Sequence, residues 1–116
     1  MPLEKPLRDE LNTFHAGICA ALADTKRIAI LYELAEGPKA VGELVTALDA
    51  PQATVSRHLK VLRDRQMVNS QREGAHVIYS LADVRIIDAL DLLREVMASI
   101  LTRRAELAQA LSAEAA

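Results

Sequence analysis

Arg57, His58, Lys60, Arg63 and Arg65 all fall within PQATVSRHLKVLRDRQMV, the stretch from Pro51 to Val68. Guanidinium and ammonium groups at this density attract an anionic surface. A guanidinium also presents a fork that can pair with a phosphate or with the edge of a guanine. The charge is local: the chain of 116 residues has 14 Lys and Arg against 16 Asp and Glu. Yet Gln52 to Ser80 holds five basic residues (Arg57, Lys60, Arg63, Arg65, Arg72) and two acidic ones, Asp64 and Glu73. A basic middle in an otherwise acidic chain points to an anionic partner met by one face.

A second pair with chemical potential is His15 and Cys19, four residues apart on one helical face. An imidazole and a thiolate could supply two ligands to Zn²⁺ or another soft ion. Alternatively, His15 could lower the pKa of Cys19 and leave it open to thiol modification. The bland readings are a small buried cysteine and a satisfied interface histidine. Asp83, Asp88, Asp91 and Glu95 read as the wet face of a helix. The chain has no phosphate-cradling glycine loop, no nucleophile with a base and its orienter, and no closed ligand set, so an enzyme is not expected.

The elements that must position these groups follow from hydrophobic spacing. Half of the residues are apolar (51%), but Phe14, Tyr32 and Tyr79 are the only aromatics, which suits a core of packed helices. Pro2 and Pro6 mark a short arm expected to fray. From Arg8 to Leu22, Leu11, Phe14, Ile18 and Leu22 then recur every three or four residues, as in an amphipathic helix. Asp24 is placed to cap a second helix that turns Ile28, Leu31 and Leu34 inward and stops at EGP (36–38). A third, short helix carries Val41, Leu44, Val45 and Leu48. DAP (49–51) breaks it, and Pro51 suits the first turn of a fourth.

In that fourth helix Val55, Leu59 and Leu62 share one face. Arg57, Lys60 and Ala53 lie opposite, with Ser56 and Thr54 at the margins, whereas His58 sits beside the apolar stripe. Beyond Arg65 the period changes to alternation, and Gly74 marks the tip of a β-hairpin. From Val84 a long helix carries Ile86, Leu90, Leu93, Met97, Ile100 or Leu101, Leu107 and Leu111, more apolar surface than one small domain covers, so a partner helix is implied. No apolar run is long enough to span a bilayer, the N-terminus lacks a signal-peptide pattern, and one cysteine cannot form an internal disulfide. The expected location is the cytoplasm, with no membrane partner.

The expected fold is mainly α with a small β-hairpin, a dimeric winged helix-turn-helix. It forms a single domain over 1–116: an N-terminal dimerisation helix (1–22), a DNA-binding core with wing (24–81) and a C-terminal dimerisation helix (84–112). ALADTKRIAILYEL, VGELVTAL, PQATVSRHLKVLRDRQMV and REGAHVIYSL occur in unbroken order from about Ala20 to Leu81. Together they resemble the ArsR/SmtB family of bacterial and archaeal repressors.

The resemblance implies a homodimer built from the first and last helices, binding to a two-fold double-stranded DNA operator, and release by a signal that the sequence leaves unidentified. Two of the family's metal sites do not carry over. The stretch ELVTALD (43–49) lacks cysteine, with Val45 and Ala47 in its middle. The second site keeps Asp83 but has Arg85 in place of a histidine and Val96 near its later position. No cofactor is therefore expected, apart from a metal ion or thiol modification at Cys19.

For DNA contact the expected residues are Gln52, Thr54, Ser56, Arg57, His58 and Lys60 on the fourth helix, with Arg72, Gly74 and His76 in the wing. His58 is expected to pack or to touch phosphate, not to read bases. For the dimer interface they are Leu11, Phe14 and Ile18 with Leu90, Leu93, Met97 and Ile100. The alternative is a winged-helix module that binds protein and has no inducer site.

Overall fold

In the computed structural model, which describes residues 2–115, the first helix (α1) starts earlier than expected. It is α-helical over Lys5–Phe14, widens into a π-helical turn over His15–Cys19, and closes as α-helix over Ala20–Leu22. Pro6 belongs to the first turn and not to a frayed arm; there its missing N–H costs nothing and its fixed φ suits the helix. Leu7, Leu11, Phe14 and Ile18 are exposed along α1.

Asp24 caps the second helix, α2 (Thr25–Ala35), as its sequence position foretells. Its Oδ1 accepts from the backbone N–H of Lys26 at 2.8 Å and of Arg27 at 3.3 Å. The third helix, α3 (Val41–Leu48), ends with Asp49 in the left-handed region at φ 49°. The fourth, α4 (Gln52–Asp64), begins one residue later than expected, because Pro51 is its N-cap and has extended ψ. The α4 C-terminus closes in a Schellman turn. Gln66 N–H donates to the Arg63 carbonyl and Met67 N–H to the Leu62 carbonyl, each at 2.9 Å. This geometry puts Gln66 at φ 61°, where glycine is the usual choice.

The strands are β1 (Lys39–Ala40), β2 (Val68–Glu73) and β3 (His76–Leu81), in antiparallel order β1-β3-β2. The hairpin was expected; β1 adds a third strand by pairing Lys39 with Tyr79 and Ala40 with Ile78. Two residues are too few to show alternation. Gly74, at φ 61°, is the first of the two loop residues between Glu73 and His76, the place where a II′ hairpin turn calls for glycine.

Ile30, Leu31 and Leu34 of α2, Leu44 of α3, and Val55, Leu59 and Leu62 of α4 form the core with Met67 and Val68. Cutting a fully buried leucine such as Leu59 to alanine costs about 2–5 kcal/mol. Contacts group the chain into two units, Met1–Val84 and Arg85–Ala116. The second unit is one helix, α5 (Arg85–Ala115), of 31 residues and so about 45 Å long. Leu92, Leu93, Val96, Met97, Leu101, Leu107 and Leu111 are exposed on it, and Ile100 is half-buried. Leu90 differs from expectation: only 5% of its surface is exposed in the single chain, which leaves it little to offer a partner. No helix among the described residues is long and apolar enough to cross a membrane.

Candidate nucleic-acid interface

The core anchors α4 through Val55, Leu59 and Leu62, and that anchorage decides what the helix displays. Gln52, Ala53, Ser56, Arg57, Lys60 and Arg63 are exposed, and Thr54 is half-buried at the margin. The Arg57 guanidinium lies over the first turns, where Nη2 donates to Thr54 Oγ1 at 3.4 Å. No side chain caps the start of α4, so its first-turn N–H groups add to the attraction for an anion. A helix with small and hydroxyl side chains beside two cations is shaped to approach the floor of a DNA major groove.

Lys60 is not a bare cation. Its Nζ lies 2.8 Å from Asp64 Oδ2, one turn further along α4. The Lys60 hydrogen bond, against a smaller push from burial, holds the Asp64 carboxyl below the usual carboxylate range. The i, i+4 spacing of the two residues encodes this pair.

His58 leaves the displayed face. Its side chain is 17% exposed; Nε2 lies 3.8 Å from Asp24 Oδ1, and Nδ1 lies 3.3 Å from Arg27 Nη1. Of the two roles expected for it, packing or phosphate contact, this geometry matches packing: the side chain is turned toward α2, because position 58 lies next to the buried stripe of Val55, Leu59 and Leu62. Burial pushes the Asp24 carboxyl up. The backbone N–H groups of Lys26 and Arg27, helped by the Arg27 charge, outweigh it and leave the carboxyl below its ordinary value. Neither Arg27 nor Asp24 had been singled out for this cluster. Their partner lies 31 or more residues away, so no local pattern reveals it.

In the wing, Arg72 pairs across the ladder with Val77, and His76 pairs with Glu73. Directly opposed residues share a face and neighbours alternate. Arg72 therefore shares the face of Val68, Ser70 and Tyr79, while His76 and Glu73 belong to the other. The hairpin brings both side chains near its tip but not onto one surface. Asn69, Ser70 and Gln71 are exposed beside them and had not been named as candidates.

His15 is exposed and Cys19 half-buried, at the two ends of the π-helical turn, where the Ala20 N–H reaches back to the His15 carbonyl. Among the described residues no three His, Cys, Asp or Glu side chains are grouped to hold a metal ion.

Residues 24–70 match the family model described as "Bacterial regulatory protein, arsR family". The chain is 49% identical over 63 residues to the HTH-type transcriptional repressor SmtB of Mycobacterium tuberculosis. That match covers 54% of this chain and 47% of SmtB, so the chain spans about half the length of that relative. It is 36% identical over 86 residues to the M. tuberculosis HTH-type transcriptional regulator NmtR, covering 74% of this chain and 72% of NmtR. The fold is similar to that of the homodimeric winged helix-turn-helix DNA-binding domain Mb0332 of Mycobacterium bovis. The TM-score is 0.72 and the identity 29%, over 87% of this chain and 94% of that one. Matched across its helix-turn-helix core by the family model, and along most of the length of NmtR, the chain belongs to the arsR family of bacterial regulatory proteins.

Proposed function

We propose that this protein is a homodimeric transcription repressor that binds a two-fold DNA operator and releases it in response to a signal. The observation that carries the reading is the outer face of α4. Arg57 and Lys60 project from a helix whose opposite side is locked into the core. In this arrangement Gln52, Thr54, Ser56, Arg57 and Lys60 enter the major groove. Arg72 draws the wing to the backbone, with Gly74 setting the turn. His58 serves the helix from behind.

The exposed apolar rows of α1 (Leu11, Phe14, Ile18) and α5 (Leu93, Met97, with half-buried Ile100) support pairing of two copies. A two-fold dimer of this kind places its two α4 helices one DNA turn apart, about 34–36 Å. Repression follows from occupying a promoter, and release from a signal that favours a dimer with a different spacing.

The test is titration with duplex DNA at two salt concentrations. The reading expects affinity that falls steeply with salt, because phosphate neutralisation releases counterions. A folded dimer with no salt-dependent affinity for duplex DNA would contradict it and favour a protein-binding module.

A further inference from the structure

The end of α1 leaves carbonyl groups without partners inside the helix, as every helix end does. At Leu22 the chain turns, and Ala23 N–H reaches the Ala20 carbonyl at 3.3 Å. Part of the remaining demand is met from α2. Arg27 Nε donates to the Ala21 carbonyl at 2.7 Å and Nη2 to the Ala20 carbonyl at 3.2 Å. The third guanidinium nitrogen, Nη1, lies 3.3 Å from His58 Nδ1 on α4. One planar group thus joins three helices through three nitrogens.

The chemistry sets the state of His58. A guanidinium only donates, so Nδ1 accepts, and the ring proton of the neutral imidazole sits on Nε2, toward Asp24 Oδ1. That same carboxylate oxygen caps α2. Arg65, just past the end of α4, makes a second tie: its Nη1 donates to the Ala16 carbonyl inside the π-helical turn of α1. His58 and Arg65 are two turns apart, about 10 Å along the helix, so α4 is hung from the backbone of α1 at two points.

We propose that Arg27 is a positioning residue for DNA binding, bridging the last carbonyls of α1 to His58 and so fixing the rotation of α4 relative to α1. A movement of α1 then reaches the DNA-facing side chains through Arg27 and Arg65 without passing through the apolar core. The proposal rests on the reading that α4 faces DNA. A purely capping role for Arg27 makes a different prediction: any cation able to reach the α1 carbonyls would serve equally.

The experiment measures affinity for a duplex of about 30 base pairs, enriched from a random pool by the wild-type protein. Circular dichroism melts and long-range ¹H–¹⁵N imidazole spectra accompany it. Arg27→Lys keeps a cation at the α1 carbonyls but cannot span to His58. It is expected to melt near the wild type and bind DNA about tenfold more weakly, with the Nε2–H preference of His58 lost. His58→Asn keeps an acceptor near the position of Nδ1 and is expected to stay within about threefold of wild-type affinity; His58→Ala is expected to resemble Arg27→Lys. Wild-type affinity in folded Arg27→Lys or His58→Ala overturns the proposal, as does an Nδ1–H tautomer in the wild type. If the wild type binds no duplex at all, the DNA reading falls and takes the positioning role with it. Wild-type binding that these variants leave intact sinks the positioning role alone.

Discussion

Lys60 Nζ and Asp64 Oδ2 are 2.8 Å apart on the exposed side of α4. The cation proposed to meet DNA is therefore already held by an anion on the same helix. Asp64→Asn should free Lys60 and remove a charge that repels phosphate, raising DNA affinity about threefold at low salt. Lys60→Ala should lower affinity and reduce the salt slope by about one. The Asp64 carboxyl titrates below its ordinary value in the folded protein, so the pair's contribution is present above the unfolded carboxylate pKa and is lost as pH falls through the folded one. In Lys60→Ala the Asp64 titration, followed by NMR, should move up. An unchanged titration would show that the pair does not persist in solution.

Arg57→Ala should weaken binding to the enriched duplex by about 1–3 kcal/mol while the melt is unchanged. The side chain is exposed and hydrogen-bonds to Thr54 on its own helix, so its removal leaves the buried core intact. Equal affinity in a folded dimer would take Arg57 out of the interface.

The two wing residues should behave differently because they occupy opposite faces. Arg72→Ala is expected to lower affinity for selected and random DNA alike, as a backbone contact does, whereas His76→Ala should matter less. A loss for Arg72→Ala confined to the selected sequence would assign it base reading instead. Gly74→Val places a β-branched residue at φ 61° and should lower the melting temperature.

Leu93→Glu combined with Met97→Glu should give a folded monomer in sedimentation at micromolar concentration, with DNA affinity lost. Both side chains are more than half exposed in the single chain, so the charges reach water in the monomer and are stranded only in a dimer. A dimer that survives both charges would place the contact elsewhere.

Gln66→Gly should stabilise the protein by about 0.5 kcal/mol, because relief of the left-handed strain exceeds the added freedom of the unfolded chain. A thermal or denaturant melt reads this directly, and a fall in stability would mean that the Gln66 side chain contributes more than its strained backbone costs.

Much of the fold is legible in the residues because its determinants are local. The spacing of Val55, Leu59 and Leu62 defines the buried face of α4, and so leaves Arg57 and Lys60 outside. Asp24 begins α2 through its own carboxylate, and Gly74 turns the hairpin because its backbone accepts a positive φ. These effects act within one or two turns of helix or across one tight turn, and sequence spacing encodes them.

Tertiary structure decided the rest, where the partners are distant in the chain. The place of His58 beside the apolar stripe is legible in the spacing, but the partners that take its ring, Arg27 and Asp24, come from across the packing of α2 on α4. Arg65 finds the Ala16 carbonyl 49 residues away, and β1 exists because β3 offers it an edge. Arg72 and His76 part company through the hairpin register, which a shift of one residue would reverse. The sequence by itself determined which faces are apolar, where α2 begins and where the hairpin turns, since those preferences belong to each segment alone. Which cation stays on the displayed face and which becomes a strut between helices was settled only when the helices packed, because a polar side chain at a helix contact takes the partner that packing brings within hydrogen-bond distance.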